Sequence, residues 1–146
     1  GELRRPIVFV GAGSERDSVD VIVKSVGNPL AVNLAGKVTI PQLAYLFEKA
    51  ALVISNDSGP LHLAVAMDTP TISFFGPETP VIYGPKGEKH TVIFKNIDCS
   101  PCVNVHDRKS VHCYWEKPKC MALITVREVF KAIEEALDKD EKSTAG

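Results

Sequence analysis

Short apolar runs alternate along the chain with stretches of helical periodicity. Ile7-Val8-Phe9-Val10 ends at Gly11, and Ala31-Val32-Asn33-Leu34 ends at Gly36. Leu52-Val53-Ile54-Ser55, Thr71-Ile72-Ser73-Phe74-Phe75 and Thr91-Val92-Ile93-Phe94 follow. Runs this short, β-branched and apolar on both faces, predict strands of a parallel sheet covered on both sides. Between them Val19, Ile22, Val23 and Val26 recur at i, i+3, i+4, i+7 and give one helix its apolar face. Thr39-Ile40-Pro41-Gln42 opens the next as a capping box, with Leu43, Leu46, Phe47 and Ala50 as its buried stripe. A third helix is predicted from Ser58 to about Met67. The last opens on the box Thr125-Val126-Arg127-Glu128 and is expected to bury Val126, Val129, Phe130, Ile133 and Leu137.

Strand–helix alternation means crossover connections, hence an α/β fold with a doubly wound parallel sheet. Ligands of such sheets bind at the carboxyl ends of the strands. The loops after Val10, Leu34, Ser55 and Phe75 are therefore the ones to read for chemistry. Residues 138–146 read as a polar tail that frays, which leaves 1–137 as a single domain.

Composition narrows the class. At 146 residues the chain is one domain's worth, and 45% hydrophobic with 24% charged residues is ordinary globular usage. No apolar run reaches the length of a membrane span, and Gly1-Glu2-Leu3-Arg4-Arg5-Pro6 has no signal-peptide core behind it. A net charge of −1 argues against a nucleic-acid partner.

The loop Ser55-Asn56-Asp57-Ser58-Gly59-Pro60-Leu61-His62 passes from strand to helix. A helix start has free N–H groups and the positive end of a dipole, and Gly59 lets a ligand approach the backbone. Such a terminus can hold an anion, in an α/β sheet a diphosphate. The plainer alternative is that Asp57 and Ser58 only cap the helix while His62 packs on the sheet.

Four cysteines, Cys99, Cys102, Cys113 and Cys120, fall in one window of 97–121 with the pattern C-x2-C-x10-C-x6-C, and His106 and His112 lie inside it. Four thiolates at this spacing can supply a tetrahedral structural zinc. Free thiols and disulfides are the alternatives, and the second pair is not a C-x2-C knuckle. Residues 86–119 hold seven Lys/Arg against four Asp/Glu. That excess suits either an anionic acceptor or membrane surface, as peripheral contact, or a plainly solvated loop.

Asp57-Ser58-Gly59-Pro60-Leu61-His62-Leu63-Ala64, Thr69-Pro70-Thr71 and Phe75-Gly76-Pro77-Glu78-Thr79-Pro80 resemble the C-terminal domain of the heptosyltransferases. These are the family 9 glycosyltransferases, which build the lipopolysaccharide inner core. Asn33-Leu34-Ala35-Gly36-Lys37 and Cys99-Ser100-Pro101-Cys102 fit the same family. The resemblance implies a Rossmann-like, nucleotide-sugar-binding half of a GT-B enzyme. That enzyme would be an inverting glycosyltransferase, commonly using ADP-heptose, and would act in the cytoplasm at the inner face of the inner membrane. It places backbone N–H groups of Ser58 and Gly59, beside Pro60, on the diphosphate. Asp57 would meet sugar hydroxyls, and His62 would face the diphosphate from the first helical turn. Glu15 would accept from the ribose diol, unless it is simply a first-turn helix carboxylate, and Gly36-Lys37-Val38 would border the adenine. Against the family pattern, nothing before Ile7 matches the usual first strand-loop-helix unit with its lysine. The acceptor domain with its general base is not matched either. No catalytic residue is therefore expected in this chain, which alone is expected not to transfer sugar. Two other readings are a non-catalytic Rossmann-like module that binds a nucleotide or a protein partner, and a sugar-nucleotide epimerase.

Overall fold

The computed structural model describes residues 5–103, 113 and 115–144. It forms two compact units, Gly1–Leu43 and Ala44–Gly146.

In the first unit, strand β1 (Ile7–Phe9) pairs in parallel with β2 (Ala31–Asn33), Val8 opposite Val32. The crossover is a 3-10 turn, Gly13–Glu15, running into helix α1 (Arg16–Val26). Gly27 ends that helix in the left-handed conformation at φ 62°, which a glycine adopts without a Cβ penalty. Asn33 fixes the end of β2 against the crossover. Its Nδ2 donates to Arg16 O at 3.0 Å and Asp20 Oδ1 at 2.8 Å, and its Oδ1 accepts from Ala35 N–H at 2.9 Å. The expectation of strands covered on both sides fails here, since Ile7, Val8 and Val32 stay 38–46% exposed. Two three-residue strands and one crossover helix cannot cover both faces.

The units divide within α2 (Ile40–Glu48). Half of the predicted capping box forms: Thr39 N–H donates to Gln42 Oε1 at 2.9 Å, while the Thr39 hydroxyl donates to the same oxygen at 3.0 Å. The second unit is a three-stranded parallel sheet, β3 (Val53–Asn56), β4 (Thr71–Phe75) and β5 (His90–Phe94), with β4 central. The strands thus form two ladders, one in each unit. α3 (Gly59–Ala66) crosses from β3 to β4 and buries Leu61 and Ala64 completely. Short helices α4 (Pro80–Tyr83) and α5 (Lys119–Ala122) occupy stretches that show no helical period in the sequence.

The long α6 (Val126–Thr144) packs Val129, Ala132 and Ile133 on Ile72 and Ile93. Its buried stripe differs from the expected one. Val126 is 81% and Phe130 44% exposed, and Ala132, outside the expected stripe, is buried; Leu137 is buried as expected. The face that meets the sheet is 129/132/133/137, a 3–4 spacing that a small residue completes, so the larger Phe130 falls outside it. The stretch 138–144, expected to fray, continues the helix to Thr144. Lys139, Glu141 and Lys142 are good helix formers. No helix among the described residues is long and apolar enough to cross a membrane.

Candidate functional site

In the second unit the site is the turn between β3 and α3. Asp57 N–H donates to Phe74 O at 3.1 Å, which carries the β3–β4 ladder one residue past the strand. Ser58 is then extended, at φ −164° and ψ 168°, as the N-cap of α3. It makes no side-chain cap. Its hydroxyl donates back to Asn56 O at 3.2 Å and stands 3.2 Å from the Ser55 hydroxyl. The capping alternative therefore fails for Ser58. The N–H groups of Ser58 and Gly59 have no acceptor among the described residues, and Pro60 has no N–H to offer.

Gly59 opens this terminus. A Cβ built on it would meet no heavy atom within 4 Å, and its φ is not positive. Neither backbone conformation nor protein packing calls for a glycine there, and the space where its side chain would stand is open.

His62, one turn into α3, places Nε2 3.7 Å from Asp57 Oδ1, an ion pair when the imidazole is protonated. The Asp57 carboxyl is three-quarters buried. Burial pushes its pKa up; His62 pulls it partly back and Glu78 adds to the rise.

Glu78 is a residue the sequence reading quoted but gave no role. It follows β4 in the turn Gly76-Pro77-Glu78. Thr79 N–H donates to Glu78 Oε1 at 2.8 Å. Oε2 is buried and has no hydrogen-bond partner among the described residues. A glutamate between two prolines reads as a solvated turn residue, so nothing in the sequence marks it.

In the first unit the turns after β1 and β2 lock together. Gly36 N–H donates to Gly11 O at 2.9 Å. Gly36 is left-handed at φ 67°, and a Cβ there would lie 2.5 Å from Gly13 Cα. Glu15 is exposed, with Oε2 accepting from Ala12 N–H at 2.7 Å. The first-turn role of this carboxylate is thus present. Lys37 N–H is taken by Leu34 O at 2.9 Å and its ammonium by Asn33 O at 3.0 Å. The backbone donors of Gly36 and Lys37 are therefore used within the fold, leaving their carbonyls and the half-buried Val38 at this edge.

The cysteines gather round the turn after β4. Cys102 N–H donates to Pro77 O at 2.8 Å, and the Ser100 hydroxyl donates to Gly76 O. Cys120 Sγ lies 2.9 Å from where a Gly76 Cβ would stand. All four are free thiols; Cys99, Cys102 and Cys113 are exposed and Cys120 is buried. Burial raises the Cys102 thiol pKa, and Cys120, Cys113 and Cys99 push the same way. Among the described residues no three His, Cys, Asp or Glu side chains stand close enough to hold a metal ion. The tetrahedral arrangement expected from the spacing is not formed in this placement, and neither is a disulfide. His106 and His112 lie outside the described residues.

Residues 5–112 match the family model of glycosyltransferase family 9 (heptosyltransferase). The chain is similar to a lipopolysaccharide heptosyltransferase 3 of Escherichia coli K12, 32% identical over 125 residues, which cover 86% of this chain and 34% of that protein. Another Escherichia coli lipopolysaccharide heptosyltransferase 3 is 38% identical over 81 residues, 53% of this chain and 24% of the relative. The solved structure of Escherichia coli ADP-heptose lps heptosyltransferase II has the same fold, with a TM-score of 0.73 at 21% identity, over 93% of this chain and 37% of that one. The chain thus spans between about a quarter and just over a third of the length of these relatives.

Proposed function

This chain belongs to glycosyltransferase family 9, and on that premise we propose that it is the donor-binding domain of an inverting glycosyltransferase. The proposed enzyme moves heptose from ADP-heptose to the lipopolysaccharide inner core on the cytoplasmic side of the inner membrane. The observation that carries the reading is the start of α3. Two N–H groups, of Ser58 and Gly59, lack acceptors among the described residues at the positive end of a helix, with open space where a Gly59 side chain would stand. As the sugar–phosphate bond breaks, negative charge grows on the diphosphate. Donors already aimed at that charge stabilise the transition state without reorganising. His62 adds positive charge when protonated. Asp57, acceptor-only once ionised, suits the hydroxyls of the sugar better than the phosphates, which it would repel.

In the first unit we assign Glu15 to the ribose diol and the Gly36-Lys37-Val38 edge to the base. Glu15 has one oxygen engaged by Ala12 N–H, which holds the carboxylate in place. The general base and acceptor pocket are assigned to residues beyond this chain, so the chain alone is proposed not to transfer sugar. We also propose a structural zinc on Cys99, Cys102, Cys113 and Cys120. Its support is the spacing C-x2-C-x10-C-x6-C, which gathers four thiols in one loop.

Calorimetric titration with ADP, UDP and GDP tests the donor reading. ADP should bind, and His62→Ala should weaken it. Absence of binding by all three would overturn it.

A further inference from the structure

Ser55 lies on β3, and its hydroxyl is engaged by the turn that follows. It donates to Asn56 O at 2.9 Å, and the Ser58 hydroxyl donates to the same carbonyl at 3.2 Å. The two hydroxyl oxygens stand 3.2 Å apart, so Ser55, Ser58 and the Asn56 carbonyl close a small ring of polar atoms. Asn56 C=O and Asp57 N–H are the two polar ends of one planar peptide, and they point opposite ways. The N–H end is tied to Phe74 O on β4 at 3.1 Å, and the C=O end is tied by the hydroxyls. That peptide is therefore held from both sides just before the chain turns into α3. The N-cap explains why Ser58 faces back. A capping serine ordinarily accepts from the second or third N–H of the helix. Here the second residue is Pro60, which has no N–H, and the third, Leu61, already donates to Ser58 O at 3.0 Å. The Ser58 hydroxyl turns instead to Asn56 O, and Ser55 is the side chain that meets it there.

We propose that Ser55 is a positioning residue of the diphosphate site, which fixes the Asn56 carbonyl and the Ser58 hydroxyl and so sets the direction of the Ser58 and Gly59 N–H groups before a ligand arrives. The inference rests on the donor-site reading above and extends it to a side chain that acts through its neighbours. Without the Ser55 hydroxyl, the Asn56 carbonyl depends on Ser58 alone, the residue whose own N–H is to be aimed. Donors that are already set need no ordering when the ligand binds, and that ordering otherwise subtracts from affinity. The gain falls on the phosphates of the ligand, because a nucleoside without phosphates makes no use of these N–H groups.

The test is calorimetric titration of the full-length protein and its Ser55→Ala and Ser55→Thr variants with ADP and with adenosine. Ser55→Ala should bind ADP about fivefold or more weakly, the loss of one hydrogen bond, and adenosine within about twofold of the unchanged protein. Ser55→Thr keeps the hydroxyl and suits a strand, so it should bind ADP within about twofold of the unchanged protein. A merely structural role would weaken both ligands alike. Equal losses for ADP and adenosine in Ser55→Ala, no loss of ADP binding, or a Ser55→Thr that binds ADP as poorly as Ser55→Ala would overturn the proposal. If Ser55→Ala does not fold, Ser55→Thr is compared with Ser55→Val, which shares its shape and lacks the hydroxyl. Valine should then bind ADP about fivefold or more weakly than threonine, and equal affinities refute the assignment. If the unchanged protein does not bind ADP, the donor-site reading falls and this inference with it. Binding of ADP that Ser55→Ala leaves intact removes only the role of Ser55.

Discussion

Gly36→Ala should unlock the two turns of the first unit, and the size of the effect follows from two features of that position. At φ 67° an alanine sits in the left-handed region, at a cost of about 1–2 kcal/mol. Its Cβ would also lie 2.5 Å from Gly13 Cα, a backbone atom that no rotamer change can move aside. Overpacking of this kind costs about 1–3 kcal/mol. Stiffening of the unfolded chain returns about 0.4–1 kcal/mol, which leaves a net loss of about 2–4 kcal/mol. Gly13→Ala is the internal control. Its Cβ would meet Gly36 Cα at 3.9 Å, ordinary contact, and its φ is not positive. Native-state hydrogen exchange at the Gly36 and Lys37 amides, both bonded within these turns, reads the local stability. Exchange in Gly36→Ala should speed up about thirtyfold or more, while Gly13→Ala should stay within about threefold of the parent. If Gly36→Ala exchanges like the parent, or the two variants behave alike, the locked-turn account is wrong.

Further outcomes follow from charge and from the thiols. Burial raises the folded pKa of Asp57 above its ordinary 3.8, so the native state binds more protons and stability falls as pH rises through that window. Asp57→Asn should flatten this slope in denaturation curves taken between acid and neutral pH, be the more stable form at neutral pH and bind ADP-heptose less well. The Lys95 ammonium, 2.8 Å from Glu128, holds that carboxyl below its ordinary 4.5. Glu128→Gln should therefore be less stable than the parent above that value, and the difference should vanish as pH falls through the folded pKa; a gap that persists in acid would count against the pair. Protein purified without chelator should contain about one zinc per chain, and elemental analysis giving less than about 0.2, with four titratable thiols, would replace the zinc proposal with free thiols. Purified 146-residue chain should show no turnover with ADP-heptose and a lipopolysaccharide core acceptor, and any detectable transfer would place the base within this chain.

Much of the fold is legible because local signals agree. The five apolar runs become the five strands, shifted by a residue or so at their ends. Thr39–Gln42 and Thr125–Glu128 both start helices, and Glu128 N–H donates to Thr125 Oγ1 at 3.2 Å as a cap does. The Glu128 carboxylate, however, turns to Lys95 on the far side of the sequence. A pairing between residues 95 and 128 leaves no local mark. The same limit explains α6, where Ala132 packs on the sheet and Phe130 does not, because periodicity reports a stripe but not which edge of it the sheet covers. It explains Asn33 as well, a polar residue in an apolar run whose three hydrogen bonds reach Arg16, Asp20 and Ala35. The Asp57–His62 turn is visible as a motif, since its residues are contiguous. Glu78, which follows β4, comes to the same end of the sheet only through the pairing of β3 with β4, which the spacing of the two segments does not encode.

The central claim is that the free N–H groups at the start of α3 hold the diphosphate. Amide chemical shifts of isotope-labelled protein, followed while ADP and then adenosine are added, test it most directly. The account predicts saturating shifts at Ser58 and Gly59 with ADP and none there with adenosine. ADP binding that leaves Ser58 and Gly59 unmoved while other amides shift would contradict it.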